Sequence, residues 1–193
     1  WSIIGPMAVA TRKRYTYADF LKFPEDGNRH EVIEGEWFMT PPPATDHQLV
    51  AAKILRLLGN HAETRSLGVV LASPVGVMLS PHDVVQPDVL FISARRASIR
   101  KKDCVRGAPD LVAEVTSPST AGVDRGRKSD LYARSGVREY WTVDPFAQTV
   151  EIRDFGRVRR TSVFQEGQTF TSTLLPGLVL RVSEIFGALR RGA

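Results

Sequence analysis

Two acidic residues of this chain stand in or beside apolar stretches, where a lone charge is costly. Glu114 lies inside DLVAEVT, and Asp88 lies between Pro87 and the stretch VLFI. Side chains alternate along a strand, so Glu114 shares its face with Val112 and not with its immediate neighbours. A buried carboxylate needs a cation, a metal ion or a proton to compensate its desolvation. Taken singly, Glu114 is equally consistent with a salt bridge to an arginine, and Asp88 with a turn that binds backbone amides.

The two acids carry more information as a pair. If VLFI and DLVAEVT are antiparallel neighbours, the start of one strand lies beside the end of the other. Asp88 then comes close to Glu114, and two like charges at short range are unfavourable without a bound cation. Two carboxylates at one place suit Mg²⁺, a hard ion that takes oxygen ligands and keeps several waters.

A lysine follows this pair on the next predicted helix. Positions 124, 128, 131 and 132 fall on one face of that helix. Leu131 and Tyr132 make it the inward face, so Lys128 is a candidate electrostatic partner or water-positioning group for Glu114. The alternative is that its stem packs inside while its ammonium group reaches solvent.

The acids near the N-terminus leave a choice open. HEVIEGE contains Glu31, Glu34 and Glu36. Glu34 and Glu36 would share a face of an ideal strand, but the break at Gly35 interrupts the alternation of side chains between them. His47 opens a long helix and could face the same cavity, although a histidine at a helix start is more often a surface or capping residue. The chain contains no GxxxxGK(S/T), HExxH or GxSxG motif, which removes the commonest NTPase, zinc-protease and serine-hydrolase interpretations.

Periodicity and turn signals predict the elements that position these residues. The first half of the chain is predicted to contain a short helix capped by Thr16 and ending at Phe23, and a hairpin or kinked strand in HEVIEGEWFMT. A long helix is predicted in PPPATDHQLVAAKILRLLGNHAETR, whose prolines end the preceding strand. Three strands follow, in GVVLAS, VGVMLS and VLFIS, and the basic connection RRASIRKKD leads to the strand DLVAEVTS.

The second half begins with a helix that Pro118, Ser119 and Thr120 open and that Gly136 ends after Ser135. The strand REYWTVD comes next, then an antiparallel meander of TVEIRDF and RVRRTSVF, with TFTSTL as an optional further strand. A last helix is predicted around Ser183–Leu189. This order predicts an α/β fold with a mixed central sheet flanked by helices and an antiparallel C-terminal meander.

Composition limits the class of protein. The 193 residues are 42% hydrophobic and 24% charged, typical of one folded domain, and no stretch approaches the roughly 18–20 apolar residues of a membrane span. We expect residues 1–10 to be an added or disordered segment and residues 11–193 to be a single domain. Cys104 is the only cysteine, which excludes a disulfide framework and fits a cytoplasmic protein.

The charge balance is compatible with a nucleic-acid partner. The net charge is +5, and arginine supplies 20 of the 26 basic residues. Guanidinium groups bind phosphate in a bidentate manner and stay protonated, although an arginine-rich surface can equally reflect codon composition.

Several stretches resemble a bacterial restriction-endonuclease-like family of the PD-(D/E)XK nuclease superfamily. They are PDVLFI, PDLVAEVTSPST and DRGRKSDLYARSGVREYWTVDP, with HEVIEGE and PPPATDHQLV in the same register, and together they span roughly Tyr17 to Phe155. The resemblance implies a restriction-endonuclease-like fold and Mg²⁺-dependent hydrolysis of phosphodiester bonds, with Mn²⁺ as a substitute ion.

The resemblance also assigns roles to residues. Asp88 matches the aspartate of the PD motif, Glu114 the acidic residue of the second motif, and Glu31 the acidic residue before the first glycine turn; these three are the implied metal ligands. The superfamily lysine would stand two positions after the glutamate, where this chain has Thr116. The resemblance places that lysine on the following helix, at Lys128, so the implied catalytic set is Lys128, Glu114, Asp88 and Glu31.

These features predict a metal-dependent DNA endonuclease. The alternatives are a nucleic-acid-binding module on a nuclease scaffold whose catalysis is weak or lost, and a hydrolase of small phosphoesters. Because one small site per chain cuts one strand, we expect a homodimer. The strands GVVLAS and VGVMLS and the arginines Arg153, Arg157, Arg159 and Arg160 are candidate interface material. We expect a basic surface leading to the pocket of Asp88 and Glu114, and no membrane partner.

Overall fold

The computed structural model describes residues 13–117, 122, 124–187 and 189. The expected N-terminal segment 1–10 and the predicted helix start at 118–120 lie outside these residues. None of the helices described here is both long and apolar enough to cross a membrane.

A six-stranded mixed sheet forms the centre of the fold. Its spatial order is β11 (Arg160–Phe164), β10 (Thr149–Asp154), β9 (Glu139–Asp144), β8 (Leu111–Val115), β6 (Val89–Ser93) and β3 (Gly68–Ala72). β8 and β9 run parallel, and every other neighbouring pair in this sheet is antiparallel. The predicted mixed central sheet is confirmed, and so is the antiparallel pairing of VLFI with DLVAEVT.

A second, five-stranded sheet packs beside it. Its order is β2 (Glu36–Thr40), β1 (Arg29–Ile33), β5 (Asp83–Val85), β4 (Val77–Ser80) and β7 (Val105–Arg106). β1 and β2 form a hairpin whose turn residues Glu34 and Gly35 have φ of 57° and 81°. Two consecutive positive φ values are typical of tight hairpin turns that match strand twist. Of the two predicted forms of HEVIEGEWFMT, the hairpin is therefore correct.

The C-terminal part corrects one prediction. TFTSTL does not extend the meander, because β12 (Thr169–Thr171) pairs with β13 (Val179–Arg181) in a separate two-stranded sheet. The cause is Phe170, which is 3% exposed and meets Trp141 edge to face at 5.3 Å between ring centroids. Burying Phe170 on the face of the six-stranded sheet directs this segment over the core and away from the sheet edge.

The helices cover both faces of the central sheet. They are α1 (Tyr17–Phe20), α2 (Thr45–Thr64), α3 (Ser129–Ser135) and α4 (Val182–Phe186), with a 3₁₀ helix at Ala94–Ile99 and a π-helical turn at Asp124–Lys128. Thr16 caps α1 as predicted, and Gly136 ends α3 in the left-handed conformation at φ 93°. The last helix begins near the predicted position but ends earlier, at Phe186.

Two apolar cores follow from the alternation of side chains. On one face, α2 residues such as Ile54 and Leu58 pack with Ala113 and Trp141. On the other face, Val112 packs with Leu131 and Tyr132 of α3 and with residues of the five-stranded sheet. Glu114 therefore projects with Val112 toward α3, as the strand alternation predicts.

Candidate active site

The site begins where the pairing of β6 and β8 ends. The last ladder pair is Val89 with Ala113, and Pro87, two residues before Val89, has no N–H with which to continue the ladder. The Asp88 carboxylate takes over instead, because its Oδ2 accepts a hydrogen bond from the backbone N–H of Val115 at 2.8 Å. Asp88 is thereby held just before the start of β6, beside the end of β8 that carries Glu114.

Two further donors converge on Asp88. Arg29 Nη2 lies 2.5 Å from Oδ1, and His47 Nε2 lies 3.0 Å from Oδ2. Burial would raise the pKa of Asp88, but the hydrogen bond from His47 and the charge of Arg29 hold it at about 2. Asp88 is therefore a carboxylate at neutral pH even though its side chain is only 2% exposed.

Glu114 is held by residues of the helix that follows it. Tyr132 donates its hydroxyl to Glu114 Oε1 at 2.7 Å, and Lys128 Nζ lies 3.1 Å from the same oxygen. Lys128 and Tyr132 are four residues apart, so they lie on one helical face. Burial, with the charges of Glu114 and Glu31, raises the pKa of Tyr132 well above its usual value, so its hydroxyl remains a donor.

Glu31 completes the group of acids. Its Oε2 lies 2.9 Å from Lys128 Nζ, and its Oε1 accepts the backbone N–H of Gln86 at 2.8 Å. Lys128 is 4% exposed and bridges Glu31 and Glu114, so the ammonium group points inward and does not reach solvent. The inward orientation predicted from the helical face of Lys128 is confirmed.

The other two N-terminal acids lie elsewhere. Glu34 is in the hairpin turn and pairs with Arg134 at 3.1 Å, and Glu36 pairs with Arg127 at 2.6 Å on the surface. Of the three acids that the sequence left open, the structure brings only Glu31 to the Asp88–Glu114 cluster among the described contacts.

Arg29 is the residue of this site that sequence reasoning missed. It contacts Asp88 and lies 3.9 Å from Glu114 Oε2 through Nη1, so one guanidinium spans both carboxylates. Burial opposes its charge, but Asp88, Glu114 and Glu31 raise the pKa of Arg29 further above its usual range. A signal existed, since Arg29 stands two residues before Glu31 and therefore shares its face of β1.

His47 also faces the cluster, which is the less common of the two possibilities that its position allowed. It lies in the first turn of α2 and its Nε2 contacts Asp88. Its Nδ1 is buried and has no hydrogen-bond partner among the described residues. A buried ring nitrogen without a partner is a place where a water or substrate group would be accommodated favourably.

Two cavities open on either side of Arg29 and His47. The larger, about 420 Å³, is lined by Asp88 and by the alanine and proline side chains of α2 and neighbouring loops. The smaller, about 230 Å³, is lined by Glu31, Glu114 and Lys128. Both cavities include Arg29 and His47 in their walls, so the cluster is reachable by a small group from either side.

The arginines of the meander, which are candidate interface material, can be placed relative to this pocket. Register places Arg160 opposite Asp154 and Asp154 opposite Glu139, at the end of the sheet away from Glu114 and Val115. The turn that carries Arg157 and Arg159 therefore lies at the opposite end of the strands from the site. The basic surface leading to the pocket stays a prediction.

The donor set can be compared with what a divalent ion requires. Asp88, Glu114 and Glu31 offer buried carboxylate oxygens, which are the ligands that Mg²⁺ prefers. Across the described residues, no three His, Cys, Asp or Glu side chains are arranged so that they could hold a metal ion as they stand. Arg29 and Lys128 lie between the carboxylates and neutralise them. The residues fit Mg²⁺ in their chemistry, and the protein's own cations contact the same oxygens.

The mixed sheet, the acid-rich strand ends and the inward lysine together define a restriction-endonuclease-like nuclease core. The comparisons agree with this class. A family model described as "Uma2: Putative restriction endonuclease" matches residues 17–183, and the chain belongs to this family.

Relatives and a solved structure extend the comparison. The uncharacterized protein sll1609 of Synechocystis sp. is 27% identical over 147 residues, which cover 75% of this chain and 83% of that protein. The uncharacterized protein slr1290 of the same organism is 24% identical over 136 residues, covering 69% and 70%. A crystal structure of a "putative nuclease belonging to DUF820" from Anabaena variabilis has a TM-score of 0.77 and 21% identity, covering 90% of this chain and 98% of the other. That likeness establishes the fold.

Proposed function

We propose that this protein is a Mg²⁺-dependent endonuclease that hydrolyses phosphodiester bonds of DNA. Membership of a family whose description reads "Putative restriction endonuclease" supports a nuclease. The observation that carries the finer proposal is one cluster in which Lys128 bridges Glu31 and Glu114 beside a cavity, while Arg29 links Glu114 to Asp88. Metal-assisted hydrolysis of a phosphodiester needs carboxylates that bind the metal ion and a nearby cation that stabilises negative charge.

The three carboxylates are the proposed metal ligands. Asp88, Glu114 and Glu31 would hold Mg²⁺, or Mn²⁺ in its place, through their oxygens. A divalent ion bound there would lower the pKa of a water and offset charge on the phosphate. Tyr132 and the backbone N–H groups of Val115 and Gln86 keep the carboxylates oriented, because each donates a hydrogen bond to one of them.

Lys128 is the proposed catalytic cation. The superfamily pattern has its lysine two positions after the glutamate, and this chain has Thr116 there. The N–H of Thr116 donates to the Val143 carbonyl, and its hydroxyl approaches the same carbonyl at 3.4 Å. Thr116 is thus turned toward β9, and Lys128 supplies the positive charge from the π-helical turn that leads into α3. We propose that its ammonium group stabilises charge that develops on the phosphate oxygens or orients the attacking water.

A plasmid-nicking assay tests the proposal. Supercoiled DNA is incubated with the protein in Mg²⁺, in Mn²⁺ and in EDTA, together with Glu114→Gln and the matched control Glu34→Gln. Glu34 is a suitable control because it pairs with Arg134 outside the cluster. We expect nicking with either ion, no nicking in EDTA or with Glu114→Gln, and unchanged nicking with Glu34→Gln. Equal nicking by Glu114→Gln and the wild type would refute the assignment.

A second candidate is a DNA-binding module without catalysis. The observation in its favour is that Arg29 and Lys128 already neutralise the carboxylates that a metal would need. This candidate predicts a gel shift with duplex DNA and no nicking at any Mg²⁺ or Mn²⁺ concentration. Mn²⁺ binding measured by calorimetry separates the two, since a module of this kind binds DNA without binding the ion.

A further inference from the structure

We propose that Arg29 is a further functional residue of this site, and this inference rests on the proposed function. In this proposal Arg29 competes with the divalent ion for Asp88 and Glu114, and it contacts the substrate phosphate once the ion has taken those oxygens. Neither role follows from the family description, which concerns the class of activity alone.

The first argument is geometric. The guanidinium of Arg29 approaches Asp88 Oδ1 through Nη2 and Glu114 Oε2 through Nη1, so it occupies the space that these two carboxylates share. Lys128 makes a corresponding bridge between Glu31 and Glu114. A divalent ion that used Asp88 and Glu114 would approach oxygens that Arg29 already contacts, and two cations cannot both be close to the same oxygens without mutual repulsion.

The second argument concerns charge. Asp88, Glu114 and Glu31 carry three negative charges, and Arg29 and Lys128 carry two positive ones. Each cation therefore stabilises the cluster while it reduces the net negative charge available to a metal ion. Removing the charge of Arg29 leaves the carboxylates more negative, so binding of a divalent ion is expected to become stronger.

The third argument concerns the substrate. Arg29 is in the walls of both cavities, and its side chain is 17% exposed, so it lies beside space that a phosphate could enter. A guanidinium is permanently charged and binds phosphate oxygens in a bidentate manner, which an ammonium group does not. Once its carboxylate contacts are taken by the ion, phosphate is the remaining anion that suits Arg29.

The test compares Arg29→Met, which keeps the length but loses the charge, with Arg29→Lys, which keeps the charge but loses the fork. Arg134→Met is the matched control, because Arg134 pairs with Glu34 and Asp83 away from the cluster. Mn²⁺ affinity is measured by titration calorimetry, and the melting temperature is measured in EDTA and in Mn²⁺. We expect Arg29→Met to bind Mn²⁺ at least about tenfold more tightly than the wild type and to gain more thermal stability from it.

The same experiment checks folding. Arg29→Met is expected to melt lower than the wild type in EDTA, because two carboxylates lose a partner, and to recover when Mn²⁺ is added. Arg29→Lys is expected to bind Mn²⁺ like the wild type, and so is Arg134→Met. Mn²⁺ affinity of Arg29→Met that is unchanged or weaker would overturn the competition. If Arg29→Met did not fold, Arg29→Lys and Arg29→Gln would be compared in its place.

The phosphate contact has its own measurement. At saturating Mn²⁺, single-turnover cleavage by Arg29→Met is expected to fall at least about 100-fold, the usual effect of losing one charge-stabilising donor. Tighter metal binding combined with slower cleavage is a signature that a purely structural residue would not give. Tighter binding with an unchanged saturated rate would overturn the phosphate role.

These outcomes are separate from those of the proposed function. If the wild type nicks DNA with Mg²⁺ but Arg29→Met binds Mn²⁺ no more tightly, only the inference about Arg29 fails. If the wild type neither nicks DNA nor binds Mn²⁺, the proposed function itself fails.

Discussion

Replacing Asp88 with asparagine tests whether buried ion pairs hold the acidic cluster together. Oδ1 of the carboxylate contacts Arg29, and Oδ2 contacts His47 and the backbone N–H of Val115. Asparagine has one acceptor oxygen, so if it keeps His47 and Val115, its amide N–H groups face the guanidinium of Arg29. Breaking a buried ion pair costs about 3–5 kcal/mol. Glu114 still offers Arg29 a partner at 3.9 Å, so we expect a loss of about 3 kcal/mol near pH 7.

The pKa of Asp88 also predicts how the stability difference between the wild type and Asp88→Asn changes with pH. The pKa of Asp88 lies at about 2 in the folded protein, below its ordinary value of 3.8. A lowered pKa stabilises the fold fully above the ordinary value, and that contribution is lost as the pH falls toward 2. A lowering of this size corresponds to about 2 kcal/mol, of which roughly half is gone near pH 3. The stability difference between wild type and Asp88→Asn should therefore narrow on acidification.

Urea unfolding followed by circular dichroism measures both quantities. The free energies of unfolding of the wild type, Asp88→Asn and the control Asp130→Asn are compared near pH 7 and near pH 3. Asp130 is exposed on α3, so its replacement should change stability by less than about 0.5 kcal/mol. A loss below about 1 kcal/mol for Asp88→Asn near pH 7, or a gap that widens at low pH, would refute the reasoning.

Four other outcomes are expected. Lys128→Ala should lower the single-turnover cleavage rate by more than it lowers DNA or Mn²⁺ affinity, because the ammonium group acts on transition-state charge; equal losses in anisotropy and rate assays would mark a plain phosphate contact. Tyr132→Phe should lower the free energy of unfolding by about 2 kcal/mol in urea, because it removes a buried hydrogen bond to Glu114; an unchanged midpoint and slope would contradict that bond. Light scattering should report twice the mass of one chain, and the mass of a monomer would contradict the homodimer. The affinity for DNA should fall steeply between about 50 and 200 mM salt, and an affinity that does not change with salt would contradict the electrostatic contact.

Local patterns were sufficient for the central part of the site. Glu114 alternates with Val112 toward α3, and Asp88 stands at the start of an apolar strand, so the two acids could be expected to meet if these strands paired antiparallel, as they do. Helical spacing likewise placed Lys128 on the face of Tyr132. In these cases the chemistry-bearing residue is next to the pattern that fixes its direction.

Arg29 and His47 show where local patterns are insufficient. Arg29 meets Asp88 across 59 positions of sequence, and it is one of 20 arginines, so its place beside Glu31 on β1 does not by itself identify Asp88 as its partner. The partner of a buried carboxylate is chosen by the packing of the five-stranded sheet against the six-stranded one. The same reason explains β12, whose direction is set by the burial of Phe170 against Trp141 and not by the turn that precedes it.

The position of Lys128 explains why α3 matters to the site as much as the strand does. β8 ends at Val115, and Thr116 already turns toward Val143, so a side chain at position 116 is drawn toward β9. Lys128 approaches Glu114 from the helix instead, and Tyr132, one turn later, donates to the same oxygen. The position of the cation thus depends on how α3 packs on the sheet. A substitution that shifts α3 would change the site without touching any acidic residue, which a strand-borne lysine would not permit.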